Sequence, residues 1–152
     1  MIRESFSEKD TFDIANALAR KAQKGDIIAL IGDLGAGKTA FTRGFAAGLG
    51  ITEPVTSPTF TILQVYEGGR LPLYHFDVYR IGDVSEMDEI GYEDCFWGDG
   101  VSIMEWADLV EPIIPDTAMI ITISSDPSKG SDYRKITISK NTPGEDNEDN
   151  RD

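Results

Sequence analysis

The chain is poor in the features that commit a protein to a disulfide framework, a membrane or a nucleic-acid surface. Cys95 is its one cysteine, so no internal disulfide can form and a reducing compartment is the natural setting. No uncharged apolar run reaches membrane-spanning length, and the polar start "MIRESFSEKD" has no apolar signal core after Arg3. The expectation is a soluble cytoplasmic protein. Basic residues are also scarce: 14 Lys and Arg stand against 27 Asp and Glu, a formal charge of −13. Such a surface repels a phosphate backbone, which disfavours direct, stable nucleic-acid binding unless a partner supplies the basic groove. No internal repeat is evident, and the Asn-Lys-x-Asp motif by which GTPases read guanine is absent.

What is present suits one compact α/β domain over residues 1–140. The 152 residues are 40% hydrophobic and 27% charged, enough to bury a core but too few for a second full domain. Residues 141–152, "NTPGEDNEDNRD", carry no bulky apolar side chain, and their last eight positions set five acids against one arginine. Burial there gains too little to offset ordering entropy, so this stretch is expected to be a disordered acidic tail.

Ser7 with Asp10, or Ser5 with Glu8, has the spacing of a helix-start cap. Apolar residues at helical spacing then predict a first helix over 10–23, ended near Gly25. "DIIALI", 26–31, is too continuously apolar to be half exposed and suits a buried parallel strand. From Lys38, Phe41, Phe45, Ala46 and Leu49 mark one face of a second helix. Residues 52–60, "TEPVTSPTF", read as a hydroxyl-rich connecting loop. "TILQVYE" and "LPLYHFDVYR" predict a hairpin about Gly68 and Gly69. An acidic helical stretch over 85–94 is interrupted at Gly91, "VSIMEW" is a short apolar strand ending in a carboxylate, and "AMIITIS" with "YRKITIS" forms a late hairpin. The expected fold is a mixed sheet with a parallel core and antiparallel hairpins beside it.

The order strand, glycine loop, helix carries the chemistry. Gly32-Asp33-Leu34-Gly35-Ala36-Gly37-Lys38-Thr39 matches G-x-x-x-x-G-K-[ST] at every fixed position. Glycines let successive backbone N–H groups converge on phosphate oxygens, and the helix start adds its positive dipole end. Lys38 would bridge the outer phosphates and the Thr39 hydroxyl would ligate Mg²⁺. Hydrolysis further needs a carboxylate at the metal and a group that orients water. Two acids at predicted strand ends qualify, Asp77 and Glu105. Glu105 better fits an apolar run closed by an acid and is assigned to the metal; Asp77 is assigned to a second metal shell or to water orientation.

His75, the single histidine, shares a strand face with Asp77 and is expected to make a structural hydrogen bond. Trp106 is read as a core or interface anchor, Cys95 as a buried small hydrophobe, and the acids from Glu86 to Asp94 as a solvated face. "DEIG", 88–91, fits a switch motif by letters but follows no apolar strand. A kinase acting on a small metabolite shares the loop, but the arginines are dispersed rather than gathered in a lid. The hydroxyl-rich "TSPTF" loop reads instead as a switch segment that responds to the nucleotide, and a nucleotide-sensing binding module in which hydrolysis is incidental is the third class.

"GDLGAGKT", "VTSPTF", "YHFDVYR" and "MEW", in this order and at these separations, closely resemble the bacterial TsaE family, also called YjeE, over residues 8–140. The resemblance implies a three-layer P-loop ATPase fold and a role in forming threonylcarbamoyladenosine in tRNA. It further implies that Gly35, Ala36, Gly37, Lys38, Thr39 and Ala40 hold ATP or ADP, that Thr39 and Glu105 stand at Mg²⁺, and that Asp77 matters for hydrolysis. Glu8 and Arg134, which composition and spacing do not single out, are implied to lie near the nucleoside. The implied partners are the TsaD and TsaB proteins, so that the acidic chain meets tRNA only through a complex, with slow ATP turnover when alone.

Overall fold

The computed structural model describes residues 1–32, 37–56 and 62–140. Strand β1 (Ile2–Ser5) leads into helix α1 (Glu8–Lys21), strand β2 (Ile27–Ile31) and helix α2 (Lys38–Gly48). The hairpin β3 (Leu63–Tyr66) and β4 (Leu73–Asp77) follows, then short helices α3 (Glu86–Glu89) and α4 (Tyr92–Phe96) and strand β5 (Val101–Glu105). A 3₁₀ segment, Ala107–Ile113, leads to the closing hairpin β6 (Met119–Ser125) and β7 (Arg134–Lys140).

The seven strands form one sheet in the order β1-β7-β6-β2-β5-β4-β3. β4, β5, β2 and β6 run parallel, while β3, β7 and β1 add antiparallel edges. The mixed sheet expected from the sequence is therefore found. β2 sits centrally and is covered on both faces, which is why its sequence is continuously apolar. Alternation along it still sorts the core: Ile28 and Leu30 join Ala15, Ala19, Phe41 and Phe45 beneath α1 and α2, and Ile27 and Ala29 join Phe76, Met87 and Phe96 on the other face. Phe41 and Phe45 are fully buried, each worth roughly 1.5–3 kcal/mol of apolar transfer.

Helix α1 starts as the capping arrangement predicts, although two residues earlier than expected. The Asp10 N–H donates to Ser7 Oγ at 3.1 Å, and the Phe6 N–H donates to Asp10 Oδ2 at 2.9 Å. It packs on α2 with almost no separation at Gly44 and Gly48, where an added Cβ would meet α1 backbone at 2.2 and 2.5 Å. The acidic stretch divides at Gly91, whose φ of +72° begins α4.

β1 and the longer 3₁₀ segment were not foreseen. β1 is polar and largely exposed, and it exists because β7 offers it an open ladder in the register Ile2 to Thr137 through Ser5 to Arg134. The 3₁₀ segment after β5 contains Pro112, which removes a helical donor and keeps the turn short. The expected tail and most of "TSPTF" lie outside the described residues. Among the described residues no helix is long and apolar enough to cross a membrane.

Candidate functional site

The site is assembled where the parallel strands end. β2 stops at Ile31, and the chain returns at Gly37 with φ +103°, a left-handed conformation that suits glycine and opens α2 at Lys38. The first turn of α2 carries no acid to occupy its N–H groups. In an anion site those donors and the dipole act together.

Strand pairing sets the acids in a row beside this loop. Leu30 pairs with Glu105, and Glu105 pairs with Asp77, so the carboxylates close β5, next to β2, and β4, one strand farther out, on the face covered by α1 and α2. Glu105 is only 3% exposed. Its Oε2 lies 2.6 Å from His75 Nε2, and Thr42 Oγ1, whose one proton goes chiefly to the Lys38 carbonyl at 2.9 Å, lies 3.4 Å from the same oxygen as the weaker branch of a shared bond. The inner face of α2 is thus stitched to the end of β5.

Asp77 is half-buried and accepts from the Tyr79 N–H at 3.0 Å. Burial pushes its carboxyl above the ordinary range and the neighbouring Glu105 charge adds to that, while the Tyr79 N–H, His75 and Lys38 oppose it. Cys95 is buried as expected, and burial raises its thiol.

Lys38 is folded back into the protein. It is 6% exposed, its Nζ donates to the Gly32 carbonyl, and it stands 3.8 Å from the centre of the Trp106 ring. Trp106 itself has φ +63°, a left-handed conformation that costs a non-glycine residue about 1–3 kcal/mol. It is held there by its N–H bond to the Leu30 carbonyl at 3.1 Å and by the Tyr79 ring at 4.6 Å.

The remaining expected residues gather less tightly. Thr39 is exposed on the first turn of α2 and Ala40 is half-buried beside it, whereas Gly35 and Ala36 lie outside the described residues. Arg134 reaches the loop, since a Cβ built on Gly37 would lie 3.9 Å from its Nε. Its Nη1 donates to the carbonyls of Ser131 and Tyr133. Glu8 opens α1 three residues after Ser5, the pairing partner of Arg134, and is exposed. Among the described residues there is no cluster of three or more His, Cys, Asp or Glu side chains arranged for a metal. A hydroxyl, a carboxylate and substrate phosphates are instead what Mg²⁺ commonly uses. Sequence reasoning passed over Thr42, whose only signal is its position one turn beyond Lys38.

Comparisons with known proteins bear on the family and the fold. The family model described as "Threonylcarbamoyl adenosine biosynthesis protein TsaE" matches residues 5–136. A Bacillus subtilis protein named tRNA threonylcarbamoyladenosine biosynthesis protein TsaE is 50% identical over 130 residues, covering 86% of this chain and 79% of that one. A Treponema pallidum protein of the same name is 43% identical over 119 residues, covering 78% of this chain and 87% of its own. The crystal structure of Bacillus subtilis YdiB superposes with a TM-score of 0.76 at 43% identity, covering 90% of this chain and 82% of that chain.

Proposed function

The chain belongs to the TsaE family of tRNA threonylcarbamoyladenosine biosynthesis, and from that premise we propose that it is a Mg²⁺-dependent, slowly ATP-hydrolysing accessory protein acting with TsaD and TsaB. The observation that carries the proposal is the convergence of Lys38, Thr39, Glu105 and Asp77 on one end of the sheet, around a loop that re-enters at a left-handed glycine.

In this reading the N–H groups of the loop and of the first turn of α2 hold the phosphates. Lys38 exchanges the Gly32 carbonyl and the Trp106 face for phosphate oxygens. Thr39 and Glu105 would hold Mg²⁺, which supplies charge neutralisation between the outer phosphates. Asp77, held above the ordinary carboxylate range, is the stronger proton acceptor and orients the attacking water. Slow turnover by the isolated chain fits this reading, because Arg134, the arginine placed beside Gly37, already bonds the Ser131 and Tyr133 carbonyls. A cation added at the transferring phosphoryl group is commonly worth about 10³–10⁵ in rate, which leaves room for a partner to accelerate the step. The charge of −13 fits a protein that meets tRNA through partners rather than alone.

The test measures ATP hydrolysis and tRNA threonylcarbamoylation over several turnovers, with and without TsaB and TsaD. Stimulation of both rates by this chain is expected. No contribution to either rate would reject the accessory role, and hydrolysis or transfer that appears only with an added small-molecule acceptor would point to a kinase.

A further inference from the structure

His75 takes no part in the steps above, yet it makes the shortest polar contact to the site's inner carboxylate. It is 1% exposed on β4, two residues before Asp77. Asp77 pairs in register with Glu105, so His75 lies on the diagonal from Glu105 across β4 and β5, a separation that a ring can span. His75 Nε2 lies 2.6 Å from Glu105 Oε2, and with Glu105 as the carboxylate that a metal requires, the ring nitrogen is the donor. The other ring nitrogen, Nδ1, is buried with no hydrogen-bond partner. A core built for packing alone would place an apolar side chain here, because a buried polar atom without a partner is destabilising.

The bonds to Glu105 are distributed unequally. His75 and Thr42 both end on Oε2, and among the described residues no hydrogen bond reaches Oε1. The carboxylate is therefore anchored through one oxygen. We propose that His75 is a positioning residue: it locks the Glu105 carboxylate by Oε2 so that Oε1 remains available at the end of β5 to a divalent cation bound with the nucleotide. This rests on the Mg²⁺-dependent nucleotide reading above. The pattern is the usual one for ligating side chains, whose outer partners fix orientation and whose loss typically weakens the metal about 10–100-fold.

The experiment uses the full chain with ADP and Mn²⁺ as probes. Mn²⁺ affinity of the ADP complex is measured by electron paramagnetic resonance, and ADP affinity in EDTA by calorimetry, for wild type, His75→Gln and His75→Asn. Glutamine can place its amide N–H where Nε2 stands, whereas asparagine is one methylene short. Expected is a loss of Mn²⁺ affinity of about 10–100-fold in His75→Asn, near-wild-type Mn²⁺ affinity in His75→Gln, and unchanged ADP affinity in EDTA for both. Because His75 is the one histidine, a long-range ¹H–¹⁵N spectrum reads its tautomer directly, and the Nε2–H form is expected. Wild-type Mn²⁺ affinity in both variants, or parallel loss of metal and metal-free ADP affinity in both, would overturn the positioning role. If wild-type protein itself binds no Mn²⁺ with ADP, the metal-dependent reading falls and this inference falls with it.

Discussion

Replacing Gly44 by alanine sets two opposing effects against each other at the contact that aims α2, the helix opened by Lys38. Alanine in a helix interior is favoured over glycine by about 0.5–1 kcal/mol, so on propensity alone Gly44→Ala should stabilise α2. Its Cβ, however, would lie 2.2 Å from the Phe12 carbonyl oxygen, 2.7 Å from Phe12 Cα and 2.8 Å from its carbonyl carbon. All three are α1 backbone atoms, so no rotamer change relieves the clash and the helices must part. Overpacking of this kind costs about 1–3 kcal/mol, and a rigid backbone obstacle belongs near the upper end. The net expectation is destabilisation by about 1–2 kcal/mol, or a fall in Tm of about 2–8 °C for a domain of this size. Because α2 begins with Lys38 and Thr39, ADP should also raise the variant's Tm less than it raises that of wild type. Thermal unfolding followed by circular dichroism, with and without ADP, measures both effects. A variant as stable as wild type, or more so, would refute the claim that α1 and α2 touch through their backbones.

The other predictions bear on the site and the first cap. Asp77→Asn should abolish hydrolysis yet raise Tm at neutral pH: the folded pKa lies above the ordinary 3.8, so ionisation disfavours the folded state. That stabilising difference should vanish as pH falls through the folded value and below 3.8, and a gain that persists at lower pH would contradict its origin. Lys38→Ala should weaken ADP retention at least tenfold by calorimetry, and Glu105→Ala should chiefly lower kcat at saturating Mg²⁺; unchanged hydrolysis in the latter would remove Glu105 from the metal. With the exposed Trp97 replaced by phenylalanine, Trp106 becomes the sole indole, and its emission should change on adding ADP as Lys38 leaves its ring. An emission spectrum indifferent to ADP would mean that Lys38 stays where it is. Ser7→Ala should cost about 1 kcal/mol in urea unfolding through loss of the bond from the Asp10 N–H.

Local signals made much of the fold legible. Continuous apolarity marked β2, apolar strand runs marked both hairpins with paired glycines at the first, and Ser7 with Asp10 marked the start of α1. β1 escaped because three of its four residues are polar and three are exposed; its strand character comes from pairing with β7 at the far end of the chain. The site shows the same division. The loop, Lys38, Thr39 and the strand-end acids are written in short motifs, whereas the His75–Glu105 bond depends on β4 lying parallel beside β5, which is a property of topology. Arg134 gave no local signal either, since its place beside Gly37 follows from β7 folding back along β6. Only the resemblance pointed to it and to Glu8.

Strand order also separates the roles of the two carboxylates. Neighbouring strands lie about 4.8 Å apart, so Glu105, on β5, is one spacing from the strand that launches the phosphate loop, and Asp77, on β4, is two. The nearer acid is almost fully buried and tied to His75 and Thr42; the farther one is half-buried and, among the described residues, accepts from the Tyr79 N–H. A metal ligand needs a fixed carboxylate, whereas a group that orients water needs access to solvent and a raised pKa. Under the proposed function Glu105 suits the first role and Asp77 the second. Of the two roles that the sequence leaves open for Asp77, this ordering favours water orientation over a second metal shell. The distinction is measurable: Asp77→Asn should leave Mn²⁺ affinity in the ADP complex within a few-fold of wild type while hydrolysis is lost, and a drop in that affinity comparable to the drop in Glu105→Ala would return Asp77 to the metal.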